Sequence, residues 1–281
     1  MVLPRILVFL LAAAACLAQG RRSVFLITDA EGVAGVCRQE QTEPTNAEMQ
    51  RLLTGEINAA VRGFLAAGAE EVIVWDGHGG SRTLSALTIH PRARLIHGSL
   101  GPTMLMERGF AALAFVGQHA RANRAAAVMA HSYSSVGIQR LLLNGKEVGE
   151  IETRAALAGW FGVPVILLTG DQAAAEDLKA IVPNAELAVV KESLGYYACI
   201  SLSAEAAQEM IEKAAARAWS RRGEIKPYKI EGPVTIDVEH TTRSTLFPLA
   251  ALPPGVERLD ARTMRYRGKD FLEAWTRWQT R

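Results

Sequence analysis

Three cysteines in 281 residues, and a formal net charge of +2 from 31 Lys+Arg against 29 Asp+Glu, remove two common routes to function. Cysteines this sparse supply no thiolate spacing for a metal. A charge this balanced, with its basic residues scattered, gives no reason to bind a polyanion, so no nucleic-acid partner is expected. The densest basic group, Arg217, Arg221 and Arg222, reads as the solvated end of a helix. No segment reaches the roughly 20 consecutive apolar residues that a membrane span needs. Also missing are a Gly-x-Ser-x-Gly elbow, a Gly-x-x-x-x-Gly-Lys-Ser/Thr loop, a dinucleotide fingerprint and a His-Glu-x-x-His helix. What remains is a chain that is 49% hydrophobic, which excludes disorder and collagen-like repeats and is ample for a large core.

The first twenty residues differ in kind from the rest. Arg5 precedes an uncharged Leu- and Ala-rich run from Ile6 to Ala18, followed by Gln19, Gly20 and Arg21-Arg22. This is the pattern of a secretory signal peptide, with a small residue, Ala18, at the cleavage point. Ala13-Ala14-Ala15-Cys16 also resembles a lipoprotein signal. The mature protein is therefore expected to be exported, periplasmic or secreted, either free or lipidated at Cys16. Removal of the leader leaves Cys37 and Cys199, which form one disulfide in an oxidising compartment or stay as two thiols.

From Ser23 onward strands and helices alternate. Short apolar runs at Ser23 to Thr28, Glu71 to Trp75, Ala93 to Ile96, Ala111 to Val116, Val163 to Leu168 and Glu186 to Val190 read as buried strands. Helical spacing after Pro44-Thr45-Asn46, over Glu152 to Phe161 and over Gln172 to Ile181 separates them. Asn144-Gly145 between apolar arms marks a hairpin. The pattern predicts an α/β fold, a doubly wound and largely parallel sheet, over 21–196 after the leader of 1–20. A smaller α+β domain is expected over 197–281, with a long Ala-rich helix from Ser203 to Arg221 and strands at Val234 to Glu239 and Thr263 to Arg267.

Three of these strands end in metal-competent residues: Asp29 and Glu31, then Asp76 and His78, then His119. Ligands of open α/β sheets bind beyond the carboxyl ends of strands, so these residues are expected to converge on one crevice. Alone, Asp-x-Glu-Gly reads as a turn, Asp-Gly-His-Gly-Gly as a structural or phosphate-binding turn, and His119 and His131 as core or surface histidines. Together, imidazoles and carboxylates without thiolates suit Zn, Mn or Fe, and a bridging carboxylate would allow two ions to activate water. Asp76 is expected to orient a ligand histidine. His90 and His97 read as loop residues, and His240 has no motif around it. Two rival readings use the same residues: another binuclear metallohydrolase, acting on amides or phosphoesters with Arg121 and Arg124 as local cations, or a non-catalytic exported binding protein.

As a set, Thr28-Asp29-Ala30-Glu31-Gly32-Val33-Ala34-Gly35, Trp75-Asp76-Gly77-His78, Gly117-Gln118-His119-Ala120-Arg121-Ala122, Val128-Met129-Ala130-His131-Ser132 and Asn144-Gly145-Lys146-Glu147-Val148-Gly149-Glu150 resemble the zinc-dependent D-aminopeptidases of the DppA-like family. The resemblance runs from Phe25 through Lys191 and is looser beyond. It implies a binuclear zinc site, two Zn2+ per subunit, ligated by Asp29, Glu31, His78, His119 and Glu150, with Asp29 as bridge. It implies a catalytic role for His131 as general base or proton donor, short peptides with an N-terminal D-amino acid such as D-Ala as substrates, and a homo-oligomer in the form of a ring-shaped decamer.

Overall fold

The computed structural model describes residues 22–280 apart from 244, 245, 247, 249 and 250, so the leader expected over 1–20 lies outside the described residues. The apolar run Ser-Val-Phe-Leu-Ile-Thr forms strand β1 (Ser23–Thr28) with all six residues buried, as suits a strand covered on both faces. Asn46 then starts helix α1 (Ala47–Ala66). Its side chain accepts the amides of Glu48 and Met49, and Leu53, Ile57, Val61 and Phe64 form the helix's buried stripe. Strands β2 (Glu71–Trp75), β3 (Ala93–Ile96) and β4 (Ala112–Gln118) follow. Next comes the hairpin of β5 (Ile138–Leu143) and β6 (Lys146–Glu147), whose turn residues Asn144 and Gly145 take φ 50° and 78°. Those left-handed values are what a two-residue hairpin turn demands. The alternation continues through α2 (Glu150–Trp160), β7 (Val165–Asp171), α3 (Gln172–Ile181), β8 (Glu186–Gly195), β9 (Ala198–Ser201) and α4 (Ala204–Ser220). It closes with β10 (Val234–His240), β11 (Val256–Arg258), β12 (Thr263–Gly268) and α5 (Phe271–Gln279).

Among the described residues the strands form two sheets. The seven-stranded sheet has the order β3-β2-β1-β4-β7-β8-β9 and is parallel except for its last pair. The five-stranded sheet, β11-β12-β10-β5-β6, is antiparallel throughout. The fold is α/β, with α1 packed on α4 and α2 on α3 against the parallel sheet and α5 on the antiparallel one. The two sheets draw on the chain out of order. The 196/197 division falls in the turn joining β8 to β9, adjacent strands of one sheet, while the β5–β6 hairpin joins β10 of the other. Strand pairing across about a hundred residues leaves no trace in local periodicity.

The chain passes from β1 to β2 and β3 on one side, then crosses back over β1 to β4 on the other. The carboxyl ends of β1 and β4 thus flank the switch point at which open α/β sheets bind ligands. Their loops touch through backbone: Asp29 N–H donates to Val116 O at 2.9 Å and Gly32 N–H to Gly117 O at 2.8 Å. Glycine permits this approach, since a Cβ on Gly32 would strike the Gln118 carbonyl and one on Gly117, at φ +74°, the Asp29 carbonyl. Behind the loops Cys37 is disulfide-bonded to Cys199, with Cα atoms 5.9 Å apart.

Candidate metal centre

Asp29, Glu31, His78 and His119 come together at the switch point, with Glu150 beside them. Asp29 and Glu31 leave β1, His78 follows β2 in Asp76-Gly77-His78, His119 follows β4, and Glu150 opens α2. Asp29, Glu31, His119 and Glu150 are all buried. His78 Nδ1 lies 2.9 Å from Asp29 Oδ1 and 3.3 Å from Glu31 Oε2. His119 Nε2 lies 3.5 Å from Asp29 Oδ2 and 3.7 Å from Glu150 Oε1. Asp29 therefore faces one histidine with each oxygen. His131 stacks on His119, ring centroids 3.9 Å apart and planes 16° apart.

The histidines share one device. His78 Nε2–H donates to Thr42 O at 2.7 Å, His119 Nδ1–H to Ala120 O at 2.9 Å, and His131 Nδ1–H to Met129 O at 2.8 Å. A carbonyl that holds one ring nitrogen as a donor fixes the tautomer and leaves the other nitrogen's lone pair for a cation.

The donor set fits a metal. Glu150 Oε2 is buried without a hydrogen-bond partner, and the equally buried Glu31 Oε2 and His119 Nε2 meet only other members of the donor set, a costly arrangement unless a cation satisfies them. Two groups, Asp29 with Glu31 and His119, and His119 with His131 and Glu150, each offer ligand atoms within 4.8 Å of one another. The electrostatics agree. Burial works against a positive imidazole on His78, yet its bonds to Asp29 and Glu31 raise its pKa to about 11. For His119 burial is again opposed, by the charge of Glu150 and the bond to Asp29, and the pKa rises to about 10. Burial would raise the Asp29 pKa, but the bonds to His119 and His78 hold it well below the usual range. A field that binds protons on imidazoles this firmly is the field that binds a divalent cation.

Asp76 does not orient a histidine. It is fully buried, and its Oδ2 accepts the amides of Thr83 and Leu84 at 2.8 and 2.9 Å, so it ties down the loop that carries His78. Arg121 pairs with Glu147 at 3.0 Å, and Arg124 with Glu176 at 2.6 Å and Asp177 at 3.4 Å, so both cations are engaged away from the centre. His90 lies in a loop, its Nδ1 accepting the Arg92 amide. His90, His97 and His240 belong to neither metal-competent group.

Several contributors escaped the sequence reading. Gln118 Nε2 donates to Asp29 Oδ2 at 3.2 Å, completing that carboxylate's shell. Lys191, buried at the end of an apolar run in β8, donates to the carbonyls of Glu31, Val33 and Val36 and so clamps the loop after β1. A lone lysine directly after the apolar run Leu187 to Val190 was the available signal for it. Tyr133 N–H donates to Glu150 Oε1 at 2.6 Å, and Asp171 accepts the Val128 amide at 3.0 Å, anchoring the loop before His131. A cleft of about 400 Å³ opens beside His131, lined in part by Ala130, Ser135, Tyr196 and Thr241.

Converging imidazoles and carboxylates at the switch point of an α/β sheet define the class, a metal-binding hydrolase. The family is specified by comparison: the D-aminopeptidase family model matches residues 23–280, and the chain belongs to that family. It is 29% identical over 259 residues to the D-aminopeptidase of Bacillus subtilis (strain 168), covering 90% of this chain and 93% of that one. Its fold superposes with TM-score 0.83 and 28% identity on the Zn-dependent D-aminopeptidase DppA from Bacillus subtilis, a self-compartmentalizing protease, over 92% of this chain and 96% of that one.

Proposed function

We propose that the chain is an exported, zinc-dependent aminopeptidase that removes an N-terminal D-residue, D-alanine above all, from short peptides at a binuclear centre held by Asp29, Glu31, His78, His119 and Glu150. The observation that carries this reading is the placement of Asp29, which turns one oxygen to His78 and the other to His119 and so would serve both halves of the donor set. When bound, the zinc pair supplies Lewis acidity toward the scissile carbonyl and toward water. Asp29, Glu31 and Glu150 balance that charge in a buried setting, and Gln118 and Tyr133 hold two of them in place. His131 moves the proton. With Nδ1–H fixed on Met129 O, its Nε2 is free to take a proton during attack and return it to the leaving amine, a role commonly worth about 10² to 10⁴ in rate.

Two wider features belong to the same proposal. The Cys37–Cys199 disulfide suits an oxidising compartment and hence export under the leader of 1–20. The tip of the β8–β9 hairpin exposes Leu194, Tyr197 and Ile200, an apolar patch that supports self-association into a ring-shaped decamer. Sedimentation velocity of the full chain should give one large species rather than a monomer.

The decisive assay incubates the full chain, zinc-loaded or chelator-treated, with D-Ala-D-Ala and L-Ala-L-Ala while free alanine is followed. Zinc-dependent release from the D,D peptide alone is expected. Release from the L,L peptide would overturn the stereochemical assignment, and release from neither would overturn the substrate class.

A further inference from the structure

One turn beyond Glu150 on α2 stands Arg154, a buried cation with no counterion among the described residues. It is 7% exposed, it forms no ion pair among the described residues, and its Nη1 has no hydrogen-bond partner. Its guanidinium lies over the rings of Trp75 and Tyr133 at 5.5 Å from each centroid. Aromatic faces attract a cation but offer no lone pair to its N–H groups. A buried charge left in that state is strongly destabilising, so the site calls for an anion that none of the described residues supplies.

Arg154, Trp75, Tyr133, Trp275, Gly77 and Ser81 border a cavity of about 230 Å³. Two of its walls are continuous with the metal centre. Gly77 directly precedes His78, and the Tyr133 amide is bonded to Glu150 Oε1. Glu150 itself forms no ion pair with Arg154: its Oε1 is turned to Tyr133 and His119, and its Oε2 has no hydrogen-bond partner. Arg154 stands about 6 Å further along the helix axis, a distance that one to two residues of extended peptide cover. The planar guanidinium fork matches a carboxylate bidentately, and a cavity of this size takes a terminal residue rather than a long chain.

We propose that Arg154 binds the C-terminal carboxylate of the substrate, making the enzyme selective for very short peptides with a free C-terminus. The proposal rests on the aminopeptidase reading above and names a specificity residue for it. The scissile bond would lie at the metal centre, and the departing residue would be held by its carboxylate between Trp75 and Tyr133.

The test compares D-Ala-D-Ala with its C-terminal amide in the parent, Arg154→Gln and Arg154→Lys proteins, all zinc-loaded. The parent should favour the free acid in kcat/KM by about 10- to 100-fold, the range of a charge-assisted hydrogen bond. Arg154→Gln should lose that preference by slowing on the acid while keeping its rate on the amide. Arg154→Lys should fall between, with its charge retained and its fork lost. Equal parent activity on acid and amide, or loss of both in proportion in Arg154→Gln, would overturn the proposal. So would an unchanged preference in Arg154→Gln accompanied by an altered sedimentation coefficient, which would assign the charge to a contact between copies. Binding of the two peptides to chelator-treated protein, read by the fluorescence of Trp75 and Trp275, separates this proposal from the reading beneath it. Arg154-dependent preference for the acid in that assay, with no turnover of any D-peptide, would remove the aminopeptidase reading and leave the carboxylate site standing.

Discussion

At the scale of single residues, His131 has two roles open to its geometry. It stacks on His119 and offers a nitrogen near Glu150, yet its Nδ1 is anchored to a backbone carbonyl in the manner of an aligned acid–base group. His131→Ala should keep the parent zinc content and lose about 10²- to 10⁴-fold in kcat. Zinc analysis of the dialysed variant decides the matter, since loss of bound metal would make His131 a ligand. Glu56 makes a different prediction. Burial pushes its pKa from 4.5 to about 7, against the opposing bond from the Ala34 amide and the charge of Lys191. The folded state then holds its proton more tightly than the unfolded state, so stability is fully present below pH 4.5 and declines as pH rises toward 7. That decline is on the order of 3 kcal/mol. Glu56→Gln should flatten this part of the profile, as urea unfolding at pH 5 and pH 8 would measure.

At the scale of elements, the centre depends on loops held at backbone distance rather than on the strands alone. Gly32 and Gly117 let the loops after β1 and β4 bond directly, Lys191 of β8 clamps the first loop, and Asp76 and Asp171 pin two more. Gly117→Ala places a Cβ against the Asp29 carbonyl at a φ that L-residues avoid. It should destabilise the fold by about 1 to 3 kcal/mol and lower zinc occupancy together, checked by thermal unfolding and metal analysis of one preparation. A drop in stability with full zinc occupancy would mean that the loops adjust independently of each other.

At the scale of the molecule, the Cys37–Cys199 bond ties the loop that follows Asp29 and Glu31 to strand β9, across 162 residues of sequence. Loop-closure entropy gives such a crosslink a ceiling of about 5 kcal/mol. Reduction, or Cys199→Ser, should therefore lower the thermal midpoint and narrow the zinc-loaded lifetime without altering substrate preference. Calorimetry with and without reductant measures the first, and the D,D against L,L assay the second.

The α/β alternation and the strand-end placement of Asp29, Glu31, His78 and His119 follow from the sequence, because a chemically competent residue closing an apolar run is visible without a partner. Glu150 and the role proposed for His131 enter only through the family resemblance, since Gly-Glu at a helix start looks like any cap. The tertiary structure alone decided which carboxylate faces which histidine, that Asp76 restrains a loop instead of a ring, and that the β5–β6 hairpin pairs with β10. It also decided that Arg154 has no counterion among the described residues. The reason is physical: periodicity records whether a side chain meets water or the interior, whereas a partner across the sheet is chosen by closure of the whole chain.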